Sequence, residues 1–138
     1  MPVYQFGERS LINLDSAHYG LQCIIREALS MGLIDFAIIE GHRNKGRQNR
    51  LYKLGRSRLQ WPESKHNKTP SEAVDAAPYV NGKISWQKEH CIFLAGIILT
   101  CAKKWGIPLR WGGNWDMDGE PVTDQDFQDL VHYEVVTD

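Results

Sequence analysis

The chain has 138 residues, a length that suits one domain spanning residues 1–138. Apolar residues make up 42% and charged residues 24%, which is enough to build a core and argues against disorder. Sixteen Lys and Arg against 17 Asp and Glu leave a formal net charge of -1, too small a field to hold a polyanion, so general nucleic-acid binding is set aside.

In chain order, the first helical pattern runs from Asp15 to Met31. Leu21, Ile24, Ile25, Ala28 and Leu29 form its apolar stripe, Asp15 or Ser16 is its N-cap, and Gly32 is its stop. Asp35 to Glu40 reads as a buried strand ending at Gly41. Asn44 to Leu54 is polar and helical, stopped by Gly55. Gly55 to Ser71 has no periodicity and reads as a long loop, a length that is often functional. A strand follows over Glu72 to Val80, and Asn81-Gly82 is a tight-turn dipeptide. A second long helix spans Ser85 to Trp105, capped by Ser85, with Ile92, Ala95, Leu99, Ala102 and Trp105 as its core stripe and Gly106 at its end. Leu109-Arg110-Trp111 and Val131 to Val136 are the last two strands. The order predicts an α+β fold, with two core helices packed on a small, mainly antiparallel sheet.

Cys91 to Ala102, the longest apolar run, is broken by Gly96 and Thr100, so no stable membrane insertion is expected. The N-terminus shows no basic start followed by an apolar stretch, so no signal peptide is expected and synthesis belongs in a cytosol. Cys23, Cys91 and Cys101 form no CxxC pair and read as free thiols acting as small hydrophobes.

Of the five histidines, His18 and His90 lie on helical patterns with no second ligand one turn away and read as solvated or satisfied. His66 stands in the long loop with Asp75 on the next strand. His132 stands in the last strand, with Asp129 three residues before it and Glu134 two after. Two imidazoles and a carboxylate suit catalytic zinc, because three protein ligands leave one tetrahedral position for water. Spacing alone does not separate such a set from a chance scatter. Residues 132 and 134 of a strand share a face, so Glu134 competes with Asp129 for the role of base.

Asn114-Trp115-Asp116-Met117-Asp118-Gly119-Glu120 has the alternating oxygens of the first half of a calcium loop. The twelfth position would be Gln125, which excludes a standard EF-hand and leaves either a solvated acidic turn or a regulatory Ca²⁺. Among the tryptophans, Trp105 reads as core, while Trp111 and Trp115 flank Gly112-Gly113 and either wall a substrate cleft or pack inside. Lys45, Arg47, Arg50, Lys53, Arg56 and Arg58 make a basic stretch, either a solvated helix face or an attractor for an anionic cell wall and its peptide carboxylates.

Ser64-x-His66, Ala73-x-Asp75 and Asp129-x-x-His132-x-Glu134 together resemble the zinc D-Ala-D-Ala carboxypeptidase family, the VanY-like peptidases whose fold is shared by the hedgehog domain. Within it, the chain is most similar to the phage L-alanyl-D-glutamate peptidase endolysins, through Asp35-Phe36, Glu40-Gly41-His42-Arg43, Ala77 to Ile84, and Leu109-Arg110-Trp111-Gly112 with Trp115. The resemblance implies that His66, Asp75 and His132 hold Zn²⁺ and that Asp129 is the acid/base, with Glu134 a partner of a ligand. It also implies that Arg43 steadies the carbonyl oxygen, that Ser64 orients the loop or a substrate group, and that Gln48 and Trp111 belong to the substrate-binding set. The stretch from His66 to Asp75 is two residues longer than the family's usual spacing, and Ser71 stands in place of the usual glycine.

The function implied is hydrolysis of an amide bond in the peptidoglycan stem peptide, L-Ala–D-Glu above all, by a monomeric phage endolysin. Such a protein is made in the host cytoplasm and reaches the cell wall by a holin-type release or as a virion component. The alternatives are a D-Ala-D-Ala carboxypeptidase on the same polymer, a cell-wall-binding module with a degenerate site, and a hedgehog-like domain with structural zinc and a protein partner.

Overall fold

The computed structural model describes residues 2–123 and 128–137. Gln125, the twelfth position of the acidic loop, lies outside them. The helices are α1 (Glu8–Asp15), α2 (Tyr19–Ser30), α3 (Lys45–Lys53) and α4 (Lys88–Trp105). The strands are β1 (Phe36–Glu40), β2 (Ala73–Val80), β3 (Lys83–Ile84), β4 (Leu109–Gly112) and β5 (Asp129–Val135), and a 3-10 turn covers Lys65–Asn67. The sheet runs β1-β2-β5-β4, with β3 paired to β2, and every strand pairing is antiparallel. This is the α+β arrangement that the order of elements predicts.

The register divides the sheet into two faces. Val74 sits opposite Tyr133, Ile38 opposite Ala76 and Trp111 opposite Tyr133, and all of these side chains enter the helix-covered core. The intervening pairs, Asp75 with His132 and Ala73 with Glu134, belong to the other side because strand side chains alternate. The core side is filled by Leu21, Ile24, Ile25, Ala28 and Leu29 of α2 and by Leu94, Ala95, Ile98, Cys101 and Ala102 of α4. All three cysteines are free; Cys91 and Cys101 are buried and Cys23 is half-buried. Among the described residues, no helix is long and apolar enough to cross a membrane.

Four expectations need correction. The pattern over Asp15 to Met31 holds one helix, α2, which starts only at Tyr19, and a further helix, α1, precedes it. α1 ends at Asp15, Ser16 is its C-cap, and α2 is capped by His18, whose Nδ1 accepts from Gly20 N at 3.0 Å. α1 has few apolar residues to give a stripe, and its value lies elsewhere. Ser10 Oγ accepts from Ile38 N and Asn13 Nδ2 donates to Ile38 O, which satisfies the open side of the edge strand β1. The stripe of α4 is also turned: Ile92 and Trp105 are 39% and 49% exposed, while Cys91, Leu94 and Ile98 face inward. Ser85 stands before that helix, whose N-cap is Gln87; the Ser85 hydroxyl accepts from Gln87 N and bonds His90 Nδ1. Finally, the last strand begins at Asp129, two residues before the expected Val131, so Asp129 lies on β5 itself.

Three stops do fall where their glycines stand. Gly32, Gly55 and Gly106 all have φ near +70° just past a helix, a conformation that costs a glycine little. Asn81 and Gly82 both have positive φ and join β2 to β3 as a two-residue hairpin turn.

Candidate metal centre

Asp75 and His132 face one another as register partners on β2 and β5, the two central strands. His66 arrives from the 3-10 turn. Ser64 fixes that turn as a capping box: its hydroxyl accepts from His66 N, and its own N–H donates to Asn67 Oδ1. One donor atom from each of His66, Asp75 and His132 lies within 4.8 Å of the others. Among the described residues this is the group of three such side chains placed to share an ion. Between that turn and β2, Ser71 is buried and its hydroxyl donates to Ala73 O.

Each imidazole is oriented from behind. His66 Nδ1 donates to Gly41 O at 2.8 Å, which turns Nε2 toward Asp75 Oδ1 at 3.2 Å. His132 uses the opposite nitrogens, with Nε2 donating to Glu134 Oε1 at 2.8 Å and Nδ1 lying 3.4 Å from Asp75 Oδ1. Fixing one ring nitrogen leaves the other free to offer its lone pair, the arrangement typical of metal-binding histidines. The rings meet edge-on, with centroids 5.2 Å apart, and the Trp115 ring stands 5.5 Å from that of His132.

The electrostatics fit a cation at this point. Burial alone pushes the Asp75 carboxyl up, but the two imidazoles beside it outweigh burial and hold it well below the usual carboxylate range. Burial lowers His132, but hydrogen bonds to Asp75 and Glu134 win, and it is pushed up to about 9. Two imidazole rings crowded on one half-buried carboxylate make a donor set of N, O and N type, which matches a borderline metal ion such as zinc. Asp129 behaves differently: burial and the neighbouring Asp75 charge push its carboxyl up.

The remaining expected residues fall into two groups. Arg43, Ser64 and Asp129 line the cavity beside the ligands, together with Glu134. Arg43 is 9% exposed. Its Nε donates to Glu40 Oε1 at 2.8 Å and its Nη1 to Gln48 Oε1 at 2.9 Å, which leaves Nη2 3.8 Å from Asp75 Oδ2. Gln48 and Trp111 do not reach the cavity. Gln48 is fully buried, and its Nε2 donates to Ser57 Oγ and Leu59 O while its Oε1 also accepts from Asn67 Nδ2. Trp111 is 3% exposed and packs into the core, with Nε1 donating to Leu130 O, because its strand parity turns it to the helix side. The aromatic rings that line the cavity are Trp115 and Trp86.

The acidic turn uses its oxygens on its own backbone. Asn114 Oδ1 and Asp116 Oδ1 accept from Asp118 N, and Asp118 Oδ1 accepts from Glu120 N. Of the basic stretch, Arg47, Arg56 and Arg58 line the cavity, and Arg47 pairs with Glu40. Residue-type reasoning assigned no role to Glu40, which holds both Arg43 and Arg47, or to Gly41, whose carbonyl orients His66. Their signal is the run Glu40-Gly41-His42-Arg43 at the end of a strand, where polar residues replace the apolar pattern.

Comparison with known proteins gives a consistent result. Residues 2–136 match the model of a family described as phage L-alanyl-D-glutamate peptidase. The L-alanyl-D-glutamate peptidase of Escherichia phage T5 is 33% identical over 118 residues, which cover 85% of each chain. The crystal structure of the Serratia marcescens L-Ala D-Glu endopeptidase ChiX is similar with a TM-score of 0.79 and 28% identity, covering 97% of this chain and 91% of that one.

Proposed function

The chain belongs to the phage L-alanyl-D-glutamate peptidase family, and from that premise we propose that it is a zinc peptidase cutting the L-Ala–D-Glu amide of the peptidoglycan stem peptide. The observation that carries the metal assignment is the convergence of His66, Asp75 and His132 from one loop and two strands. These three residues would hold Zn²⁺ through His66 Nε2, a carboxylate oxygen of Asp75 and His132 Nδ1. When bound, the ion supplies Lewis acidity toward the scissile carbonyl and the attacking water.

The chain's own groups do the rest. Asp129, a half-buried carboxylate pushed up beside Asp75, takes the proton of the attacking water as the C–O bond forms. It then gives that proton to the leaving amine as the C–N bond breaks. Arg43 directs its Nη2 donor toward the reacting carbonyl oxygen, held in place by Glu40 and Gln48, and its charge is permanent. Glu134 accepts from His132 and acts through that ring, which favours Asp129 over Glu134 as the base. Ser64 orients the His66 turn. The whole chain works as one monomeric catalytic domain, made in the host cytoplasm and acting on the wall after a holin-type release or as a virion component.

The test is digestion of purified peptidoglycan with mass spectrometry of the fragments, before and after chelation and zinc restoration. New N-terminal D-Glu that vanishes with chelator and returns with zinc is the expected result. Released D-Ala would instead mark a carboxypeptidase, and no fragments from the zinc-loaded protein would mark a binding module. Asp129→Asn should abolish cleavage while zinc stays bound; His66→Ala should lose both.

A further inference from the structure

The cavity beside the three ligands measures about 780 Å³, far more than a dipeptide needs. One wall is the segment after α3, where Arg56, Ser57, Arg58 and Glu63 face the opening. Charges deeper in are matched. Glu40 is held by Arg43 and Arg47, and Glu134 by His132, Arg110 and Lys65. Arg56 differs. Its backbone N–H closes the end of α3 on Leu51 O at 2.9 Å, but its guanidinium has no hydrogen-bond or ion-pair partner among the described residues. An unmatched guanidinium on a cavity wall attracts anions and offers a planar pair of donors that fits a carboxylate.

A hydrogen-bonded chain places that wall relative to the ligands. Ser57 Oγ accepts from Gln48 Nε2 at 2.9 Å, Gln48 Oε1 accepts from Arg43 Nη1 at 2.9 Å, and Arg43 Nη2 lies 3.8 Å from Asp75. An extended peptide covers ~3.5 Å per residue, so a few residues of substrate span the cavity that Arg56 and the three ligands both line.

We propose that Arg56 is a specificity-determining residue that binds a free carboxylate of the stem peptide on the leaving-group side of the cleaved bond. The proposal rests on the peptidase reading above. The two such groups nearest the cleaved bond are the candidates, the C-terminal carboxylate lying further along the stem. One is the α-carboxylate of D-Glu, free because the chain continues through its γ-carboxyl. The other is the side-chain carboxylate of a diamino diacid at the following residue. Glu63 supplies the wall's opposing charge and disfavours an unpaired anion elsewhere along it.

The experiment measures kcat/KM of zinc-loaded wild type, Arg56→Ala and Arg56→Lys on two pairs of synthetic stem peptides. One pair sets D-Glu against its α-amide; the other sets meso-diaminopimelate against lysine at the next residue. In one pair the wild type should favour the carboxylate by about tenfold, the scale of one charge-assisted hydrogen bond. Arg56→Ala should bring that ratio near one and Arg56→Lys should keep part of it, and the pair that responds identifies the carboxylate. Arg56 is exposed, so unchanged thermal unfolding of the variants separates this from a folding defect. Ratios in Arg56→Ala equal to those of wild type in both pairs would overturn the proposal and leave the peptidase reading intact. If wild type cut none of the peptides, the peptidase reading would fail first.

Discussion

Arg43 Nη1 donates to Gln48 Oε1 at 2.9 Å, and Gln48 is shut off from solvent. The same amide holds Asn67 of the His66 turn and Ser57 and Leu59 of the cavity wall. One buried side chain thus ties together the arginine at the ligands, the turn that carries a ligand and the wall that faces the substrate.

Gln48→Leu fills much the same volume and removes all of those bonds. The partners left unsatisfied inside cost on the order of 2–4 kcal/mol, read from urea unfolding. Activity should fall at least about tenfold through kcat, because Arg43 loses one of its guides. Zinc affinity measured by chelator competition should fall less than activity, since the His66 turn loses its Gln48 bond but keeps its Ser64 cap.

Gly41→Ala attacks the site from the other side. A Cβ at Gly41 would stand 2.1 Å from Asn13 O and 2.4 Å from Ser16 Oγ, and the backbone oxygen cannot swing away. The Gly41 carbonyl that orients His66 must move, or α1 must leave β1. The expected outcome is a loss of about 3 kcal/mol or more together with weakened zinc binding, checked by thermal unfolding and metal titration.

Glu134→Gln keeps an acceptor beside His132 Nε2 but removes the charge that Arg110 and Lys65 also meet. Weakening the partner of a ligating histidine should lower zinc affinity by about 10–100-fold. Competition with a chromophoric chelator measures it, and an unchanged affinity would count against the assignment of His132 as a ligand.

Glu40 makes stability depend on acid. Burial raises its carboxyl, but hydrogen bonds from Arg47 and Arg43 outweigh burial and hold it below its ordinary value of 4.5. A group lowered in the folded state stabilises above its unfolded pKa, and that contribution is lost as pH falls through the folded one. Urea midpoints should therefore drop below about pH 4.5, and Glu40→Gln should flatten part of that drop while starting from a lower midpoint at pH 7.

Local signals carried much of the fold. Apolar spacing marked α2 and α4, glycines at 32, 55 and 106 marked helix ends, and Asn81-Gly82 marked the hairpin, because each rests on backbone preferences a few residues long. The phase of α4 was less legible, since Cys91, Ile92, Leu94 and Leu99 are all apolar and only the position of α2 and the sheet selects which of them turn inward. α1 left almost no pattern because it works through Ser10 and Asn13 on a strand edge.

By itself the sequence determined which side chains can bind an ion, through the run of motifs around His66, Asp75 and His132 and the family they mark. Tertiary structure decided what the neighbouring residues do. Trp111 went to the core and Gln48 behind Arg43, while Asp129 and Arg56 reached the cavity. The reason is that strand parity, the shift in register near Gly112 and the return of the loop after α3 set the direction of each side chain. Those directions arise from pairings between residues far apart in the chain, which residue type and local spacing do not encode.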